Sequence, residues 1–446
     1  MNELDTTVRE SLDERAQGYA VPPAPSALIL ARARREHRRR QVLTAAAGVA
    51  AAAVVAVALV PRLGGTGAPP VPAAPSTTHQ QSRDVEASRA DALTWAAALP
   101  QGDPATFTGW PTTQRQGDRV AVRLGDRDVL GPQGFTDLSD PHPVADGWLF
   151  VATGATVGRP AILHFSRVTD RATVMARPAG PTSILVDPEG GRFAWLATDG
   201  GTTALSIVDI ADGSSMGVAL PSGLADPALA TWTPLGISVV PVGEASTGTV
   251  PPGATPAVAT TAVALFDTTR NEWVPVAARL EARVVGVVRL DAFGGSPLSA
   301  LVDTVQGSQK CVSQLEGGLT LVPLECWPLS AAGTPTTAVG PGGKYVLVGL
   351  AGSPGSRVTL HDLLAGRAVA GQPGLAQALA APIEDYAWEG ADVFAAVASP
   401  STGSTAAVPF RYDLRTHAGE RLPSDPRASL ESTFDPATTG LTLPRG

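Results

Sequence analysis

A two-hairpin phrase recurs through most of the chain, and it restricts the possible folds more than any other feature. TSILVDPEGGRFAWLATDG (182–200) is echoed by TDLSDPHPVADGWLFVATG (136–154) and TTAVGPGGKYVLVGLAG (336–352), and more weakly by DPALATWTPLGISVVPVG and IEDYAWEGADVFAAVAS. Each copy joins a short apolar strand, through a Pro/Gly/Asp turn, to a second strand rich in Val, Ala and aromatics. A second hairpin follows in ALSIVDIADGSSMGVAL, AVALFDTTRNEWVPVAA, RVTLHDLLAGRAVAG and PFRYDLRTHAGERL. These four stretches place Asp209, Asp267, Asp362 and Asp413 at one station, after an apolar strand and before a turn. An aspartate there serves structure, because its carboxylate can accept the backbone amides of the turn.

One such unit cannot bury its apolar faces alone, whereas several packed around an axis can. About seven units begin near residues 99, 136, 182, 226, 283, 336 and 383, and Leu99 to Leu422 divides into about 46 residues per unit. That length suits four-stranded blades. VDPEGGRFAWLA followed by VDIADG resembles the blade signatures of bacterial WD40-like and TolB-like β-propellers, with Glu189 and Gly342 standing where Asp is usual. The resemblance implies an all-β propeller of about seven blades and specifies blades rather than ligands. The first unit supplies about three strands, so TTGLTLP (438–444) in the C-terminal tail is expected to dock as the missing strand beside residues 104–130.

The N-terminal region reads differently. Arg32, Arg34, Arg35, Arg38, Arg39 and Arg40 precede an uncharged run from Val42 to Val60. At ~1.5 Å per residue this run spans ~28 Å as a helix, close to the hydrocarbon core of a bilayer. The late start of the basic cluster and the length of the run favour a retained anchor over a cleaved signal peptide. With only Arg62 close behind, the positive-inside bias keeps the N-terminus in the cytoplasm. The expected organisation is a basic cytoplasmic tail with a short helical segment (1–40), a single transmembrane helix (41–60), a Pro/Ala-rich linker (61–98) and an extracytoplasmic propeller (99–446). Within the linker, residues 84–99 can form a short helix. The layout also resembles a family of uncharacterised single-pass membrane proteins of high-GC Gram-positive bacteria with an external propeller. Some members of that family accompany extracytoplasmic-function sigma factors, which implies signalling through residues 1–40 as one alternative. The tail, however, carries His37 and no cysteine, so the zinc motif of many anti-sigma domains is absent.

Composition fits an ordered extracytoplasmic domain. The chain is 44% apolar and 17% charged, and 40 prolines with 47 glycines suit many turns. A net charge of −8 argues against a nucleic-acid partner. Cys311 and Cys326 flank SQLEGGLTLVPLE, whose Glu316-Gly317-Gly318 marks a hairpin turn, and in an oxidising compartment they are expected to pair. Mirror pairing about that turn, however, sets Cys311 opposite position 323 or 324.

No catalytic signature is legible: there is no G-x-S-x-G, no H-E-x-x-H, no phosphate loop and no dinucleotide fingerprint. No cofactor or metal is therefore expected. His164 and His361 occupy matching strand positions and read as packing residues, as do Trp110, Trp148, Trp195, Trp232 and Trp388. The one candidate loop site is Asp140, His142 and Asp146 in SDPHPVADGW, since loops at propeller mouths often carry function. These features favour a non-enzymatic module that binds an envelope protein or glycan. A glycan-active hydrolase or lyase working in the axial funnel is the alternative, and it requires two carboxylates converging ~5–10 Å apart.

Overall fold

The computed structural model describes residues 77–107, 111–154, 158–180, 183–199, 202–243, 260–353, 357–399 and 407–423. Seven antiparallel sheets form in sequence order. Blade 1 has three strands (Thr112–Gln116, Arg119–Leu124, Arg127–Leu130) and the other six have four each. Blade 2 runs from residue 137 to 176, blade 3 from 184 to 219, blade 4 from 227 to 280, blade 5 from 283 to 328, blade 6 from 334 to 368 and blade 7 from 386 to 421. Within blades 2 to 7 each strand pairs with the next in sequence, most of them across turns of a few residues that leave no room for a crossover. First strands of successive blades lie against one another, as blades 2, 3, 4 and 5 show, and therefore line the axis. The fold is a seven-bladed β-propeller.

Apolar side chains fill the gaps between consecutive blades. Six separate cores bridge the six gaps from blade 1 to blade 7. Between blades 6 and 7, Trp388 stacks on Tyr345 at 6.3 Å and its Nε1 donates to the Ala338 carbonyl at 2.9 Å. Between blades 3 and 4, buried Trp232 lies under the Arg192 guanidinium at 5.4 Å. Trp195 joins the core between blades 2 and 3, and partly buried Trp148 packs on that between blades 1 and 2. The seventh gap is different: among the described residues no apolar core joins blade 7 to blade 1.

The N-terminal side of the ring is held by helix α1 (Thr77–Ala98), longer than the sequence suggests and reaching into the stretch read as spacer. Its last turns place Leu93, Trp95 and Ala96 in the core of blades 6 and 7, where Trp95 meets Phe410 edge to face at 5.2 Å. Blade 6 has an outer strand of only two residues, Arg367–Ala368, and α1 together with a short helix, Leu375–Ala378, fills the space this leaves. Beyond α1 the chain runs parallel to the last strand of blade 7. The Gly102 amide donates to the Arg421 carbonyl at 2.9 Å, and the Arg421 amide donates to the Pro100 carbonyl at 2.8 Å. The expected membrane span, the cytoplasmic tail, Trp110 and the C-terminal stretch 438–444 lie outside the described residues; among those described, no helix is long and apolar enough to cross a membrane.

Candidate functional site

The turns joining first to second strands and third to fourth strands share one face of the propeller. The link is direct: the amides of Arg167, Ile210, Leu363 and Leu414 donate to the carbonyls of Asp146, Gly191, Lys344 and Asp392. In most blades the first of these turns is short. In blade 5 it is the stretch 290–298, LDAFGGSPL, and it leaves its own blade.

Asp291, Ala292 and Phe293 form a buried 3-10 turn. Asp291 Oδ2 accepts from the Val186 amide of blade 3 at 2.8 Å and pairs with His142 Nδ1 of blade 2 at 3.0 Å. The Gly342 amide of blade 6 donates to the Phe293 carbonyl, and the Trp232 amide of blade 4 donates to the Pro297 carbonyl at 2.9 Å. A segment of blade 5 that touches blade 2, three blades away in a ring of seven, must cross the axis. It closes the axial mouth on this face, hereafter the plug face. Gly294 and Gly295 permit the crossing: Gly294 has φ 70°, and a Cβ on Gly295 would stand 2.8 Å from the Gly343 backbone.

Beside the plug lies a cavity of about 240 Å³, walled by Pro143, Val186, Pro188, Glu189, Asp291 and Pro297. A second cavity, of about 300 Å³, opens where blade 7 faces away from blade 6. There Arg411 donates to Glu389 Oε1 at 3.0 Å and to Glu420 Oε2 at 2.6 Å, and Glu389 Oε1 also accepts the Thr106 amide at 2.7 Å. Burial opposes the Arg411 charge, but the hydrogen bond it donates to Glu420 and the charge of Glu389 outweigh it and hold its pKa above that of an ordinary arginine. Two carboxylates do converge here, but one guanidinium clamps both. The triad ties three strands of blade 7, and through Thr106 it ties the N-terminal segment as well.

The residues singled out from sequence are dispersed. SDPHPVADGW is the inner strand of blade 2 (Asp137–Val144) and its turn, not an open loop. Pro141 and Pro143 are tolerated because this strand borders the axis and shifts register between Ser139 and His142. His142 is fully buried against Asp291. Asp146 sits at the turn, where its carboxylate meets His164 Nε2 at 2.8 Å and accepts from Ser166 Oγ at 2.9 Å. Asp140 is on the same strand, and its side chain is not among those described. His361 is buried between Thr359 and Glu325, whose carboxyl the His361 contact holds below its usual range. Asp209, Asp267, Asp362 and Asp413 each accept a turn amide two or three residues ahead, at 2.7 to 3.0 Å. For Asp267 the amides of Arg270 and Thr269 lower the carboxyl pKa. Cys311 and Cys326 form a disulfide. The turn centres on Gly318, since Glu316 pairs with Thr320, and a bulge at Leu324 adds one more position, so Cys311 faces Cys326 rather than position 323 or 324. The sequence reading overlooked Asp291, although an unusually long Gly-Gly loop between two strands was a usable signal. Among the described residues no group of three or more His, Cys, Asp or Glu side chains is placed to hold a metal.

No protein-family model matches the chain, and no curated protein matches it. Solved structures do. TolB from Acinetobacter baumannii is 14% identical with a TM-score of 0.35, over 58% of this chain and 62% of that one. The β-propeller domain of the trilobed protease from Pyrococcus furiosus, described as having an open velcro topology, is 11% identical with a TM-score of 0.40, over 72% of this chain and 98% of that one. A puromycin-hydrolyzing peptidase of Mycobacterium tuberculosis is 15% identical with a TM-score of 0.36, over 74% of this chain and 57% of that one. The match thus spans less than two thirds of the TolB chain and of the peptidase. At such identities and TM-scores these likenesses carry no argument about activity, and the propeller fold rests on the seven sheets themselves.

Proposed function

We propose that this chain is a single-pass membrane protein whose propeller stands outside the cell and binds an envelope protein or glycan without chemistry of its own. The observation that carries the binding reading is the buried crossing of the axis by residues 290–298. A propeller enzyme working in the axial funnel needs room at the axis for its substrate, and on the plug face Asp291, Ala292 and Phe293 occupy that room. The converging carboxylates Glu389 and Glu420 are both held by Arg411 and serve the ring. The Cys311–Cys326 bridge suits an oxidising compartment, and the uncharged run Val42 to Val60 behind six arginines suits an anchor with its N-terminus inside.

Alkaline phosphatase fused after residue 80 is expected to be active, with the full-length chain in the membrane fraction. A soluble form starting near Leu59 or Pro69 would overturn the anchor. Turnover of glycan or peptide substrates by the purified full chain would overturn the non-enzymatic reading.

A further inference from the structure

Of nine large exposed apolar side chains among the described residues, four stand on turns of one face of this propeller. Val168, Leu235, Leu298 and Leu364 all stand on turns of the plug face and are 78%, 61%, 39% and 71% exposed. Leu235 and Leu298 belong together, because the Trp232 amide binds the Pro297 carbonyl and so ties the blade 4 turn to the blade 5 loop. Pro297 is in turn a wall of the cavity beside the plug. An apolar strip therefore borders a pocket whose other walls include Pro143 and Pro188.

Carboxylates are frequent on the turns of this face, and several of its cations are already engaged, although Arg167 is exposed beside Val168. Arg127, Arg270, Lys344 and Arg415 each stand within 4 Å of a carboxylate on the same face, and Arg192 lies between Asp187 and the Trp232 ring. At the pocket, Glu189 is exposed. Asp291 is 4% exposed, its Oδ2 is saturated by Val186 and His142, and its Oδ1 has no hydrogen-bond partner. A buried carboxylate oxygen left without a donor is costly, and Asp291 adds its negative charge to that of Glu189 in the wall of this pocket.

From this juxtaposition we infer that the plug face is a docking surface for a basic polypeptide segment, with a lysine or arginine entering the pocket of Glu189 and Asp291 and an apolar neighbour packing on Leu235 and Leu298. The inference rests on the binding reading above and narrows it to one face and one partner chemistry. The cation supplies the long-range attraction to an acidic face, and the apolar neighbour supplies desolvated contact at its centre. A second copy of this chain would meet like charge.

The test uses the full chain in mild detergent and a fluorescein-labelled dodecapeptide repeating leucine, arginine and glycine, read by fluorescence anisotropy. Two control peptides replace arginine by glutamate or leucine by glycine. Saturable binding is expected, at least about tenfold tighter than for either control, which corresponds to about 1.4 kcal/mol. Glu189→Lys and Leu235→Glu should each weaken it about tenfold, while Leu329→Glu, an exposed leucine on the opposite face, should leave it unchanged. Absence of binding, equal binding to all variants, or an equally tight leucine-free peptide would overturn the proposal, the last by showing charge attraction alone. These outcomes leave membrane insertion and the activity assays untouched, so failure of this surface is separable from failure of the binding reading.

Discussion

Asp303 lies in the second strand of blade 5, opposite Gly286, on the side that packs toward blade 6. Burial alone pushes its carboxyl up to about 7. The folded chain therefore keeps a proton that the unfolded chain, with an ordinary aspartate, has lost above about pH 4. Stability from this group is full below that pH and falls as pH rises toward about 7, by up to ~4 kcal/mol. Asp303→Asn should thus raise the urea midpoint at pH 8, and its advantage over the native chain should vanish by pH 4. Equal midpoints at pH 8 would mean that Asp303 is solvated as a charge. At this scale legibility depends on where a residue's partners are. Asp209, Asp267, Asp362 and Asp413 were readable because each meets amides two or three positions away. Asp291 and Asp303 were not, because what decides their state comes from other strands and blades.

Among the elements, the hairpin of residues 309–328 shows how far a local pattern carries. Glu316-Gly317-Gly318 marks its turn, and both glycines adopt positive φ there, at 60° and 73°. The pairing partner of Cys311 depended on the turn centring on Gly318 and on one extra residue, Leu324, neither of which a count from Glu316-Gly317-Gly318 fixes. With the cysteines fifteen positions apart, the chain-entropy argument gives about 3 kcal/mol for the bridge. Double substitution Cys311→Ala and Cys326→Ala should lower the unfolding free energy by about that amount, and reduction of the native chain should match it; denaturant curves with and without reductant measure both. An unchanged curve would place the stability of this hairpin in its packing alone. Helix α1 is similar: a helix near residues 84–99 was readable from composition, but its seat was not. Trp95 and Ala96 are useful only because blade 6 has so short an outer strand.

The whole molecule is a ring with one unusual joint. Among the described residues six gaps are filled by apolar cores, and at blade 7 the Glu389–Arg411–Glu420 triad and residues 100–106 supply polar ties instead. A ring must close, since otherwise a sheet edge and two faces stay exposed. Deleting residues 77–102 should therefore lower the melting temperature by at least ~5 °C and promote aggregation, as removal of both the α1 seat and the strand on Arg421 requires. Truncation after Pro423 tests the other contribution. A comparable loss would show that the C-terminal stretch 438–444 completes three-stranded blade 1, and no loss would leave closure to the N-terminal segment. Differential scanning calorimetry of the two truncations decides between them.

The approximate blade number, the hairpin order and four turn aspartates were determined by the sequence itself, because each depends on contacts within some tens of residues and recurs from blade to blade. A repeated local signal averages out its own degeneracy, so even Glu189 in place of the usual Asp did not hide the blade. What only the tertiary structure decided are the features that break the repeat: the blade 5 loop that crosses to His142, the seat of α1, and the tie of Thr106 to Glu389. Each occurs once and joins residues more than a hundred positions apart or on different blades. No period in the sequence can announce such a contact, because it exists only once the ring has brought its ends together.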